Sequence, residues 1–293
     1  MNVVVATDGS KYGRWALNWV AKLPLVEPPN VTALHVLDGA KFRLPFRTKL
    51  EVQRVEARSE RTLRDATQQL ASLKLTGVAR KEQGPVAPTI LKRAPKRDGL
   101  LVVGSQGLDA LDRFMLGSVS TKLIQHATCP VLVVKGEAVP LRQIILATDG
   151  SPASAKALEF VLTRFRPDRS SGKVVGRVPL RVSVIHVIPR SPLAPIEIGT
   201  TVSWTKYRGL KVKEVGHRLV EQSAQKLIKA GFTVEPLCQL GNPAEKIMKA
   251  ASKQHADLIV MGAKGLADID RFLLGSVSTR VVQHAHCAVL VVR

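Results

Sequence analysis

Two stretches of this chain combine residue types and spacings that suit the capture of an anion. The first reads Gly104-Ser105-Gln106-Gly107, nine residues, then Gly117-Ser118-Val119-Ser120; the second reads Gly262-Ala263-Lys264-Gly265, nine residues, then Gly275-Ser276-Val277-Ser278. Glycine allows positive φ and lets a backbone come close to a ligand. The first turn of a helix offers unpaired N–H groups and the positive end of its dipole. A glycine turn leading to a Gly-Ser helix start therefore suits phosphate. The hydroxyls of Ser118, Ser120, Ser276 and Ser278 could cap that helix or donate to phosphate oxygens. A tight turn with ordinary caps is the plainer alternative, and the repetition of one spacing weighs against it.

Two carboxylates recur in matching settings: Asp8 in Val-Ala-Thr-Asp-Gly-Ser and Asp149 in Leu-Ala-Thr-Asp-Gly-Ser. Each ends an apolar run and could accept hydrogen bonds from sugar hydroxyls or cap the next helix. Lys264 places a cation inside the second glycine turn where the first has Gln106; it is either a phosphate ligand or a solvated side chain. Arg113 and Arg271 could approach a phosphate or pair with Asp112 and Asp270 beside them. A catalytic set is not legible: there is no Gly-Lys-Ser/Thr phosphate loop, no second carboxylate placed by a motif to hold Mg²⁺, and no Ser-His-Asp spacing. His126 and His284 recur at the end of a helix, where a structural role is expected. His284-Ala285-His286-Cys287 offers too few clustered ligands for zinc.

The elements that must position these groups follow from the apolar pattern. Leu100 to Val103 and Leu258 to Met261 read as short buried strands leading into the glycines, and Ser118 to His126 and Ser276 to His284 as the helices that follow. Aligning 108–134 with 266–292 gives 18 identities over 27 positions, so the chain is a duplication. Asp8 and Asp149 lie 141 residues apart and the first glycines 158 apart, so the second copy holds 17 additional residues, in part in the polar stretch 169–179. Within each copy, strands alternate with helices, including a long charged helix from Lys49 to Leu73 and its counterpart from Trp204 to Lys229. That alternation implies α/β architecture with a parallel sheet covered on both faces. The expected units are residues 1–136 and 142–293.

The pattern Gly-x-x-Gly, nine residues, Gly-Ser-Val-Ser, then His-Ala-x-Cys and Val-Leu-Val-Val, with an early Thr-Asp-Gly-Ser, resembles the nucleotide-binding signature of universal stress proteins. The resemblance covers nearly the whole chain. It implies two tandem doubly wound domains, each a five-stranded parallel sheet of order 3-2-1-4-5, related by a pseudo-two-fold axis and joined through their last strands. At such a switch point between strands 1 and 4, Asp8 and Gly104 meet, as do Asp149 and Gly262. The resemblance also implies that ATP, alone or with Mg²⁺, is the ligand. It assigns Asp8, Val36, Gly104, Gly107, Gly117, Ser118, Val119 and Ser120 to one site. Asp149, Val187, Gly262, Lys264, Gly265, Gly275, Ser276, Val277 and Ser278 form the other, with Val36 and Val187 meeting adenine through their backbone.

Composition sets the wider limits. The chain has 293 residues, 45% apolar and only 4% aromatic, so its cores must be filled by aliphatic residues. The net charge is +21, from 21 basic and 12 acidic residues up to position 140 and 23 and 11 beyond it. Because the excess is dispersed, nucleic acid is not the expected partner. Three cysteines without close pairing suit a reducing compartment, and the absence of a leader-like start or an 18-residue apolar run leads us to expect a cytoplasmic protein with no membrane association. The expected function is that of a nucleotide-binding stress-response module, with the two domains paired and a further homodimer open. A slow ATPase and a polyanion binder are the alternatives.

Overall fold

The computed structural model describes residues 1–38, 48–96, 99–107, 116–167, 179–189, 202–265 and 274–293, with side chains for all of these but 202–212. Arg113, Arg271 and the polar stretch 169–178 lie outside the described residues.

The first half opens with β1 (Asn2–Ala6), whose three consecutive valines favour extended backbone, and α1 (Lys11–Lys22). The Ser10 hydroxyl caps α1 by accepting from the Gly13 N–H at 3.3 Å, and Pro24 follows the helix end. Next come β2 (Asn30–Leu37) and α2 (Lys49–Ser72), which starts with a reciprocal Thr48–Glu51 capping box. Then follow β3 (Thr76–Gln83), α3 (Val86–Arg93), β4 (Gly99–Gly104), α4 (Ser118–His126) and β5 (Val131–Val134). The second half repeats the series as β6 (Gln143–Ala147), α5 (Pro152–Arg164), β7 (Arg181–Ile188), α6 (Val202–Lys229), β8 (Thr233–Leu240), α7 (Pro243–Lys253), β9 (Leu258–Gly262), α8 (Ser276–His284) and β10 (Ala288–Val292). Pairing with β2 along its full length gives β3 eight residues.

All ten strands form one sheet, in the order β3-β2-β1-β4-β5-β10-β9-β6-β7-β8. Each half thus has the order 3-2-1-4-5, parallel throughout, and the doubly wound expectation holds. Side chains alternate between two aliphatic layers. Leu100 and Val102 of β4 face the side covered by α1 and α2, while Leu101 and Val103 face α3 and α4. The second half packs its helices in the same way, with Val182 and Val184 against α5 and α6, and Ile185 against α7.

The halves join where β5 and β10 run antiparallel, with Val133 opposite Val289, Leu132 opposite Leu290 and Val131 opposite Val291. The residues that follow these strands reach across the join. Lys135 Nζ donates to the carbonyls of Ala285 (2.7 Å) and Gln283 (3.1 Å), at the end of α8, while the Arg293 guanidinium donates to Ile124 and Gln125 at the end of α4. The Trp19 indole N–H donates to Gly136 in the connection at 3.0 Å. Among the described residues, no helix is long and apolar enough to cross a membrane.

Candidate functional site

In each half, three segments meet at the carboxyl end of the first and fourth strands. After β1 the chain turns through Thr7-Asp8-Gly9-Ser10, and Gly9 sits at φ +82°; after β6 Gly150 sits at φ +80°. These are the glycines in this site that need a left-handed backbone. The Asp8 carboxylate accepts from Ser10 N–H at 2.9 Å and the Asp149 carboxylate from Ser151 N–H at 3.0 Å, so one oxygen of each organises the turn into the next helix. The other oxygen faces the glycine turn. A Cβ placed on Gly107 would lie 2.7 Å from Asp8 Oδ2, and one on Gly265 2.8 Å from Asp149 Oδ2. Asp8 with Gly107, and Asp149 with Gly265, are therefore in close apposition across the switch point.

The first glycine of each turn packs closely against the first helix of its half. A Cβ on Gly104 would lie 2.6 Å from Tyr12 Cβ, and one on Gly262 2.6 Å from the Ala153 carbonyl carbon. Gly104 and Gly262 are thus glycine so that α1 and α5 can pack on β4 and β9. Gly104, Gly107, Gly262 and Gly265 all avoid positive φ.

The start of the next helix docks onto the same turn. Gly117 N–H donates to Ser105 O at 2.8 Å and Gly275 N–H to Ala263 O at 2.8 Å. Both glycines occupy the N-cap position of α4 and α8 in extended backbone, φ −63° and −64°, and neither helix has a side-chain cap. The N–H groups of the first turn, at Ser118, Val119 and Ser120 and at Ser276, Val277 and Ser278, are therefore presented beside the Gly-x-x-Gly turn. At Gly117 a Cβ would meet only ordinary contacts, 3.5 Å from Ser105 O and 3.6 Å from Gln106 Cα. Among the described residues, the packing leaves room for a Cβ there.

The four serines divide into two roles. Ser118 and Ser276 are exposed. Ser120 and Ser278 are buried, and their hydroxyls donate to Gly104 O at 2.7 Å and Gly262 O at 2.9 Å. In this structure these two hydroxyls brace the helix start against the end of the fourth strand.

Position 106 and its counterpart 264 set the halves apart. Gln106 is buried. Lys264 is half-buried, its carbonyl accepts from the Ser151 hydroxyl at 3.3 Å, and its ammonium nitrogen is shut away from solvent without a hydrogen-bond partner among the described residues. An enclosed ammonium with no partner costs free energy.

Val36 and Val187 are buried on the face covered by the third and fourth helices of their halves. The strand pairing of β1 with β2 ends at Ala6–Leu34, and that of β6 with β7 at Ala147–Ile185, so both valines lie beyond the last residue paired with the first strand of their half, while still paired with the third. Sequence reasoning missed the histidines beside them. His35 Nδ1 and His186 Nδ1 each lie 2.9 Å from the carbonyl of Thr7 or Thr148, the residue preceding the aspartate. A carbonyl only accepts, so Nδ1 carries the proton and ties the second strand to the aspartate turn. Their recurrence in both copies was the available signal. Among the described residues, no group of three or more His, Cys, Asp or Glu side chains is placed to hold a metal ion.

Comparison with known proteins accounts for the repeated arrangement. The family model described as the universal stress protein family matches twice, at residues 1–135 and 140–293. A universal stress protein of Mycolicibacterium smegmatis is 30% identical over 312 residues, covering 99% of this chain and 96% of its own. Another from Mycobacterium tuberculosis strain H37Rv is 26% identical over 320 residues, covering 100% and 95%. Among solved structures, a universal stress protein from Archaeoglobus fulgidus superimposes with a TM-score of 0.66 at 19% identity, covering 100% of this chain and 96% of that one, a likeness of fold. With the duplicated switch-point geometry and a family match to both halves, the chain belongs to the universal stress protein family.

Proposed function

We propose that the chain binds an adenine nucleotide, ATP foremost, at each of its two switch points, and that it works as a stress-response regulator that changes state with occupancy. The observation that carries this reading is Lys264, whose enclosed ammonium lacks a hydrogen-bond partner among the described residues and which belongs to the turn that receives the uncapped start of α8. A phosphate group supplies the missing counter-charge. In this reading the amides of Gly107, Gly117, Ser118, Val119 and Ser120, and of Gly265, Gly275, Ser276, Val277 and Ser278, hold phosphate oxygens. Ser118 and Ser276 add hydroxyls, Asp8 and Asp149 take the ribose, and the backbone at Val36 and Val187 meets the base. Gly104 and Gly262 support the site from behind. Mg²⁺ would come with the nucleotide on its phosphate oxygens. The two halves, taken as 1–136 and 142–293, each hold one site, and three free thiols suit a reducing cytoplasmic setting.

Calorimetric titration with ATP, ADP and AMP tests the reading, with Gly117→Ala as the informative variant. A Cβ fits at Gly117 without a clash, and its φ suits any residue, so the variant is expected to fold with a loss of about 1 kcal/mol or less. It fills the space into which a phosphate would settle, so binding at the first site is expected to fall by about tenfold or more. Absence of heat with every adenylate would overturn the proposal, as would unchanged binding in the folded variant.

A further inference from the structure

The two sites repeat one geometry, with two residues changed in the glycine turn. The aspartate-to-glycine approaches are 2.7 and 2.8 Å, the aspartate-to-serine amide bonds 2.9 and 3.0 Å, and the docking bonds of the helix start 2.8 Å in both. The brace from Ser120 is 2.7 Å and that from Ser278 2.9 Å. The fourth helices begin with the same φ and ψ to within three degrees. Inside the turn Ser105 is replaced by Ala263, and the charge changes: neutral, buried Gln106 in one half, and in the other the ammonium of Lys264, which has no hydrogen-bond partner among the described residues.

Lys264 stands in the middle of its site. The residue before it, Ala263, accepts the Gly275 N–H; the residue after it, Gly265, packs on Asp149; and its own carbonyl holds Ser151. A first phosphate can be met in both halves by the helix N-terminus and main-chain amides, which carry only partial charges. Each further phosphoryl group brings full negative charge, and among the described residues only the second half has a cation in the turn to meet it. A glutamine amide donates and accepts equally and gives no preference for net charge.

We infer that the two sites are graded by ligand charge, the second half selecting nucleoside di- or triphosphates through Lys264 and the first half, with Gln106, binding adenylates with little regard to phosphate number. This rests on the nucleotide reading above and makes Lys264 the specificity-determining residue. A chain built in this way reports on two adenylates at once, because its sites fill at different ratios of polyphosphate to monophosphate.

Titration calorimetry of the full chain with ATP and with AMP, for the native sequence and for Lys264→Gln, Lys264→Met and Gln106→Lys, decides the matter. ATP should resolve two classes of site and AMP a single class. Either change at Lys264 should weaken the tighter ATP class by about tenfold or more, the loss of a charge-assisted contact, while AMP affinity changes less than about threefold. Gln106→Lys should move the weaker ATP class toward the tighter one. Two equal ATP sites in the native chain, or equal losses for ATP and AMP in both Lys264 variants, would overturn the grading while leaving nucleotide binding in place. No heat with either ligand would overturn both.

Discussion

At the residue scale, the site is built from groups that the protein's own stability does not favour. Lys264 is the clearest case, because its ammonium is enclosed without a hydrogen-bond partner among the described residues, and such a group is tolerated where function requires it. Replacing it with methionine keeps the aliphatic stem and removes the unpaired charge. Lys264→Met is therefore expected to raise the melting temperature of the ligand-free protein by about 2 °C or more, from a gain of about 1 kcal/mol. Differential scanning fluorimetry without and with ATP checks this, and the same variant should lose most of its ATP-induced stabilisation. A fall in melting temperature would mean that Nζ is satisfied in solution. The glycines carry a parallel lesson: Gly104 is fixed by Tyr12 at its back, whereas a Cβ at Gly117 would meet only ordinary contacts among the described residues.

At the element scale, α4 and α8 are each held at both ends by something other than their own sequence. Their N-termini lack a side-chain cap and rest on the glycine turn, while their last carbonyls are taken by a cation from the opposite half, Arg293 for α4 and Lys135 for α8. Between these ends, Ser120 and Ser278 fix the first turn to the fourth strand. Ser278→Ala removes a buried donor and leaves the Gly262 carbonyl short of a partner. A loss of about 1–2 kcal/mol in urea unfolding is expected, together with weaker binding at the second site because the helix start is no longer fixed. A loss of stability with full ATP affinity would show that the brace serves the fold alone.

At the scale of the whole molecule, the continuous ten-stranded sheet makes the halves interdependent. Val289, Leu290 and Val291 of β10 are buried by β5, so the segment 140–293 produced alone would expose an apolar strand edge. We expect it to self-associate through β10, giving a dimer in size-exclusion chromatography with light scattering; a stable monomer would contradict the dependence. Lys135 adds a pH signature to the same join. Burial pushes its amine down to about 8 from 10.5, opposed in part by the neighbouring Cys287, while burial pushes the Cys287 thiol up to about 12 from 9.0. Below pH 8 the lysine is protonated in folded and unfolded chains alike. From pH 8 toward 10.5 the unfolded chain holds that proton and the folded one gives it up, so this group makes stability rise with pH. Above pH 9 Cys287 acts in the opposite sense, because the folded chain keeps a proton that the unfolded chain loses. Chemical denaturation is thus expected to show a rise between pH 8 and 9 that Lys135→Met removes, near-cancellation of the two groups between pH 9 and 10.5, and a fall above pH 10.5 that Cys287→Ala reduces.

The sequence by itself determined the duplication, the alternation of strand and helix, the two switch points and most of the residues that meet there. Those features are written in local spacing: aliphatic runs of strand length, a Thr-Asp-Gly-Ser turn after the first strand, and Gly-x-x-Gly at a fixed distance from Gly-Ser. Only the tertiary structure decided how each residue is used, because that depends on what lies across from it. Gly104 answers to Tyr12 and Gly107 to Asp8; Ser120 faces inward to a strand carbonyl while Ser118 faces out; His35 and His186 reach the aspartate turns from a neighbouring strand. The reciprocal clamp of Lys135 and Arg293 was invisible for the same reason, since its partners are some 150 residues away in the chain and are brought together only by the antiparallel pairing of the two last strands.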